Sequence, residues 1–138
     1  MKLSTRARYA VRFMIDLATH SDKEYIPLKE IADREEISWK YLWNLIGPLK
    51  SAGLINVARG SQGGYKLGKP VDQINLKDIV YAVEGSLCLV DCVDNPSFCK
   101  KSNNCITRQI WSETSSKIRE YLESITLDDV INKYGKNI

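Results

Sequence analysis

The 138-residue chain carries 20 Lys and Arg against 17 Asp and Glu and one His, a formal net charge of +3, with 43% hydrophobic and 27% charged residues. This is an ordinary globular composition that excludes disordered and collagen-like chains, and a chain of this length buries roughly two-thirds of its unfolded surface without needing disulfides. No apolar run approaches the ~20 residues needed to span a bilayer. Arg12 and Asp16 interrupt the apolar residues that follow the basic start, so no signal peptide is read there and a cytoplasmic location with reduced thiols is expected.

Ser4 is placed to cap a first helix, in which Ala7, Ala10, Val11, Met14, Ile15, Leu17 and Ala18 recur at helical spacing as far as His20. Arg6, Arg8 and Arg12 fall on its other side. Beyond Pro27, the residues Leu28, Ile31 and Ala32 predict a two-turn helix over 28–35, with Ile37 in the turn after it. Ser38 then reads as the N-cap of a helix over 39–52 that places Leu42, Leu45, Ile46 and Leu49 on one face and stops at Gly53. Pro48 removes a backbone donor inside that helix and is expected to kink or split it. A short helix, a tight turn and a longer capped helix form a helix-turn-helix.

Residues 54–59 alternate as a strand, 60–64 form a glycine-rich tip and 65–67 a second strand, together a β-hairpin wing. Asn75 is a cap for a helix over 76–84, closed by Gly85, and residues 86–105 read as irregular. From Ile106 onward, Ile110, Trp111, Ile118, Tyr121, Leu122 and Ile125 form an apolar stripe on a helix of about five turns. Thr126 is positioned to cap a last short helix over 127–134. The expected fold is mainly α with a small β-hairpin. It divides into a winged helix-turn-helix over 1–68, a connecting helix over 69–85, a cysteine-rich loop over 86–105, and a long helix with a short one after it over 106–138.

Charge separates the two halves. Residues 1–68 hold 11 Lys and Arg against 7 Asp and Glu, while 69–138 hold 9 against 10, so the front half suits a polyanion. A helix about 10–12 Å across enters a major groove about 12 Å wide. The reading helix offers Ser38, Trp39, Lys40 and Tyr41 in its first turn, where backbone amides also face an anion. Arg59 at the wing base, the wing glycines Gly60, Gly63 and Gly64, and Lys66 across the hairpin complete the candidate contacts with double-stranded DNA. The competing reading is a protein-binding winged helix whose cations are solvated surface, and Trp39 and Trp43, four residues apart, are a pattern more often found in cores and interfaces than in base stacking.

All four cysteines lie within 18 residues: Cys88, Cys92, Cys99 and Cys105, spaced C-x3-C-x6-C-x5-C. Several sulfur donors on one loop of a chain in a reducing compartment suit a soft metal or an iron-sulfur cluster. Structural zinc usually shows two close C-x2-4-C pairs, and only the first gap here is that short. A disulfide switch would need two of the four, and Cys88, flanked by Leu87 and Leu89, also fits as a small core residue. No C-x-x-C motif, nucleotide-binding glycine pattern or paired acid/base site supports an enzyme.

Several stretches resemble the Rrf-type family of bacterial winged-helix regulators. They are Met1 to Ser4 with Arg8-Tyr9-Ala10, residues 37–42, residues 49–54, Arg59-Gly60 with Gly63-Gly64-Tyr65, Leu67-Gly68, and Ile125-Thr126-Leu127. The resemblance covers nearly the whole chain. It implies a homodimer built on the long helix through Ile110, Trp111, Ile118, Tyr121 and Leu122, a partly palindromic operator, and an effector site in the cysteine loop. In the cluster-binding branch three loop cysteines hold a 2Fe-2S or 4Fe-4S cluster, and Cys92, Cys99 and Cys105 match them in order, whereas Cys88 matches no family ligand.

Members differ in the fourth ligand. This sequence has Arg108 where IscR-like members place a His, and Arg8 where NsrR-like members use an Asp, and neither Arg ligates iron. Cys88, Asp91, Asp94 or an exchangeable small molecule remain for that place. Trp43 and the wing residue Gln62 also depart from the family pattern, which bears on operator sequence and not on phosphate contacts. The expected function is a homodimeric transcription regulator, a repressor, sensing iron-sulfur, redox or nitric oxide status through the cluster. The alternative is a cluster-free, CymR-like regulator controlled by thiol oxidation or a partner protein, with a thiol redox protein third.

Overall fold

Helix α1 (Thr5–Thr19) starts where expected, with the Ser4 hydroxyl accepting the Ala7 N–H at 3.0 Å, and it buries Ala7, Ala10, Phe13, Met14, Leu17 and Ala18. The computed structural model describes residues 1–22 and 24–135. Helices α2 (Leu28–Glu35) and α3 (Trp39–Ser51) follow, and Glu36 makes the turn between them in the left-handed conformation (φ 54°). Ile37 is buried in that turn, its N–H bonded to the Ala32 carbonyl at 3.1 Å. Ser38 holds the N-cap position of α3, but its hydroxyl makes no capping bond.

Contrary to the expectation from Pro48, α3 runs through it unbroken. The donor that proline lacks would have served the carbonyl of Asn44, an exposed residue, where water can take its place. The buried side chains Leu42, Leu45, Ile46 and Leu49 hold both halves of the helix on the core.

Strands β1 (Ile55–Ala58) and β2 (Gly64–Leu67) pair antiparallel, with Ile55 opposite Leu67 and Ala58 opposite Gly64. One further bridge was not legible in the sequence. Ile26, just ahead of α2, exchanges both backbone hydrogen bonds with Tyr65 at 2.9 Å, which ties the wing to the body of the domain. Beneath it the Tyr65 ring meets Phe13 edge-on, with centroids 6.1 Å apart. Asp16, on the same side of α1 as the core residues, is almost fully buried and carries a paired guanidinium from Arg34 at 2.7 and 3.0 Å, which fixes α2 to α1.

A 3-10 turn, Val71–Gln73, leads to α4 (Leu76–Glu84), capped by Asn75 and closed by Gly85 at φ 77° as expected. Helix α4 contacts α1, α3 and α6 and so lies at the centre of the molecule. Residues 86–105, expected to be irregular, contain the one-turn helix α5 (Asp91–Asp94) and two 3-10 turns, Pro96–Phe98 and Ser102–Asn104. Then come α6 (Ile106–Glu123) and α7 (Leu127–Tyr134). Helix α7 returns to α1, and its entry bridges that of α4 through Asn75 and Thr126, so buried Leu127 belongs to the core. Among the described residues no helix is long and apolar enough to cross a membrane.

A capping box closes the start of α7: the Thr126 hydroxyl accepts the Asp129 N–H at 3.1 Å and the Asp129 carboxylate accepts the Thr126 N–H at 2.9 Å. Thr126→Ala is expected to lower stability by about 1 kcal/mol in denaturant titrations. The Thr126 N–H also holds the Asp129 carboxyl below its ordinary value, so its contribution is complete above that value and fades as pH falls through the lowered one.

Candidate nucleic-acid interface and cysteine corner

The outer face of α3 consists of Trp39, Lys40, Trp43, Asn44, Gly47 and Lys50, all exposed. Trp39 and Trp43 keep 54% and 60% of their surface in solvent, so neither is a core residue. The Lys40 ammonium lies 6.0 Å from the centre of the Trp39 ring. Tyr41, in the same first turn, is half-buried, with its ring edge-on to Tyr9 at 5.3 Å. Ser38, free of capping duty, is exposed beside them.

At the wing, Arg59 is exposed beyond the end of β1 and Lys66 lies 4.7 Å over the ring of Tyr25. The tip depends on glycine for two different reasons. Gly60 and Gly64 have φ values of 100° and 146°, and a Cβ on Gly63 would lie 2.3 Å from the Ala58 carbonyl oxygen. Trp39, Lys40, Ser38 and Arg59 therefore all offer solvent-facing groups, whereas Tyr41 and Lys66 are partly engaged with neighbouring rings.

The cysteine loop is drawn together at two points. At the first, Cys88 Sγ donates to Asp94 Oδ1 at 2.9 Å, and the Ser86 hydroxyl bonds the other carboxylate oxygen. Burial, then Asp94, pushes the Cys88 thiol up, while the Cys88 and Ser86 donors hold the Asp94 carboxyl down. The backbone N–H of Leu89 reaches the buried Ser115 hydroxyl at 2.9 Å, anchoring this turn to α6.

At the second point Cys105 is the N-cap of α6. Its sulfur shares a hydrogen bond with the Thr107 hydroxyl at 3.1 Å and accepts the Arg108 N–H at 3.4 Å, and these contacts lower its thiol below the usual range. Arg108 Nε also donates to the Cys92 carbonyl at 2.8 Å. Cys99 is exposed, and Cys92 is half-buried on α5. All four thiols are free, and among the described residues no group of three or more His, Cys, Asp and Glu side chains is gathered closely enough to hold a metal ion.

The Cys88–Asp94 contact and the contacts of Arg108 are not legible in the sequence, where Arg108 is only a residue that cannot ligate iron. Its i+3 spacing from Cys105, at a helix start, is the signal that points to the N–H contact with the sulfur.

Along α6, Ile106 and Tyr121 are 76% and 66% exposed, and Ile110 and Trp111 are also in solvent, so much of the expected apolar stripe is left uncovered by the described residues. Ile118 and Leu122 are half-buried on the side facing α4.

Known proteins with this arrangement agree on one family. Residues 3–133 match the model of the Rrf2 family, described as iron-dependent transcriptional regulators. The chain is 38% identical to protein rrf2 of Nitratidesulfovibrio vulgaris over 95% of its length and 87% of that protein. It is 37% identical to the HTH-type transcriptional regulator IscR of Pectobacterium atrosepticum over 96% of its length and 80% of that protein. Among solved structures, IscR of T. potens superposes with a TM-score of 0.80 at 34% identity, covering 100% of this chain and 92% of that one. CymR, the global cysteine regulator of B. subtilis, superposes with a TM-score of 0.78 at 33% identity, covering 96% and 98%. These relatives are transcriptional regulators and not enzymes, and the winged helix-turn-helix with an exposed basic reading face is a DNA-binding architecture. The chain belongs to the Rrf2 family of transcriptional regulators.

Proposed function

We propose that the chain is a cytoplasmic, homodimeric repressor that senses iron-sulfur, redox or nitric oxide status through a cluster held by Cys92, Cys99 and Cys105. In this reading residues 1–68 bind a partly palindromic duplex through Ser38, Trp39, Lys40, Tyr41, Arg59, Gly60, Gly63, Gly64 and Lys66. Residues 69–85 connect that unit to the sensing loop over 86–105, and residues 106–138 carry the dimer contacts at Ile110, Trp111, Ile118, Tyr121 and Leu122. The uncovered apolar residues of α6 support the dimer, since a second copy is what such a stripe accommodates.

The observation that carries the cluster is the state of the donors. Three thiols of the right type share one loop, none is in a disulfide, and Cys105 is held toward its thiolate, the form that binds iron. Their chemistry fits the group, although residues 92–105 have to close to bring the sulfurs to one centre. When bound, the cluster supplies an iron centre that reacts with oxygen or nitric oxide. The chain then supplies the lever: a rearranged loop shifts α6, α6 packs on α4, and α4 packs on the reading helix α3. The likeness to CymR, together with the ungathered thiols, favours as second reading a cluster-free repressor controlled by thiol oxidation or a partner protein.

The deciding experiment is an anaerobic purification followed by an absorption spectrum and iron and sulfide analysis per subunit. Brown protein containing both elements, whose affinity for promoter DNA changes on exposure to oxygen or nitric oxide, is the expected result. Protein that stays colourless after reconstitution moves the reading to thiol or partner control, and equal affinity of apo and loaded forms removes the cluster switch. Lys40→Ala and Arg59→Ala are each expected to weaken binding and, where the cation meets phosphate, to lower the salt slope by about one unit.

A further inference from the structure

Two of the proposed cluster cysteines are joined by one residue that cannot itself bind iron. The backbone N–H of Arg108 points at the sulfur of Cys105 at 3.4 Å, and its side-chain Nε donates to the backbone carbonyl of Cys92 at 2.8 Å. Its side chain is half-buried in this position, while the loop cations Lys100 and Lys101 are exposed. We propose that Arg108 is a positioning residue for the sensing loop, clasping the Cys92 turn to the Cys105 helix start and so setting the separation of these two thiols.

The physical case rests on what the two contacts constrain. Twelve residues separate Cys92 from Cys105, and the cost of closing that loop falls on any event that brings the two sulfurs to one centre. A side chain that already fixes the two ends to each other removes part of that cost beforehand. The guanidinium is suited to it: it is always protonated, has no lone pair for a metal, and binds a carbonyl through a planar donor that stays put. Arg108 thus holds Cys92 through its backbone carbonyl and Cys105 through its sulfur.

This inference rests on the cluster reading for its functional meaning, although the clasp itself is testable in metal-free protein. The test compares full-length Arg108→Ala and Arg108→Lys with the parent, prepared anaerobically, by hydrogen exchange and by the rate of iron release to a chelator. Arg108→Ala is expected to speed both amide exchange over residues 91–105 and iron release by about tenfold, the order expected for losing a hydrogen bond from a charged donor. Exchange in α1, α2 and α3 and the starting iron and sulfide content should stay at parent values. Arg108→Lys keeps the charge without the planar Nε donor, and is expected to bring both rates only part of the way back to parent values.

Parent rates in Arg108→Ala for both exchange and iron release would overturn the clasp, even in brown protein. Faster exchange spread through α1, α2 and α3 would also overturn it, by showing general destabilisation. If loop exchange rises in Arg108→Ala while no preparation takes up iron, the clasp stands and the cluster reading falls.

Discussion

Gly64→Ala is expected to lower the melting temperature by roughly 10 °C and to release the wing from the body of the domain. Gly64 has φ 146°, and a Cβ there would lie 2.3 Å from the Ile26 carbonyl oxygen, a backbone atom that cannot swing away. The same carbonyl accepts the Tyr65 N–H at 2.9 Å, so relieving the clash opens the bridge. Strain of about 1–3 kcal/mol and two backbone hydrogen bonds at about 1 kcal/mol each put the total at about 3–5 kcal/mol, and at roughly 3–5 °C per kcal/mol for this chain length the lower end of that sum already gives a shift of about 10 °C. Gly47→Ala is the control. Gly47 is an exposed residue inside α3 with nothing within 4 Å of its Cβ position and no positive φ, so alanine should stabilise by roughly 0.5–1 kcal/mol. Thermal unfolding of both variants by circular dichroism checks the pair of opposite signs. A Gly64→Ala protein that melts with the parent would mean that the Ile26 bridge contributes nothing to holding the wing.

The second large effect concerns the thiols. Cys92→Ala, Cys99→Ala and Cys105→Ala are each expected to reduce bound iron and sulfide to near zero after anaerobic purification, because three protein sulfurs leave no redundancy in the site. The same change at Cys88 is expected to leave the iron in place. Its thiol is pushed up by burial and given over to Asp94 at 2.9 Å, so it is less ready than Cys105 to act as a thiolate. Each variant should keep its far-ultraviolet spectrum, since no cysteine belongs to the buried core. Loss of iron from Cys88→Ala would make Cys88 the fourth ligand and would require the Asp94 contact to break on loading.

What could be read from the sequence is what neighbouring residues decide among themselves. The Ser4, Asn75 and Thr126 caps, the Gly85 stop, the wing with its glycines and the apolar stripe of α6 all follow from spacing within a few residues. What could not be read joins residues far apart. Asp16 in sequence is an interruption of an apolar run; in the fold it is a buried carboxylate made tolerable by Arg34, 18 residues further on. Ile26 looks like a linker residue until Tyr65 pairs with it. Pro48 signals a break that tertiary burial of Leu45 and Leu49 overrides, and Glu36 makes a left-handed turn where no glycine announced one. In the cysteine loop, the spacing is legible, but the Arg108 contact to Cys92 depends on a fold that brings α5 to the head of α6.

The bridge between Ile26 and Tyr65 has a bearing on how such a molecule can be switched. With α1, α2 and both wing strands sharing one packed interior, the recognition surface behaves as a single casting: its groove-filling shape cannot be adjusted by small shifts elsewhere. In the sensor function proposed above, a signal arriving along α6 through α4 relocates that casting as a whole. If the chain acts as the proposed dimer on a partly palindromic operator, regulation is expected to alter the distance at which two half-sites are tolerated and to leave the bases preferred within each half-site unchanged.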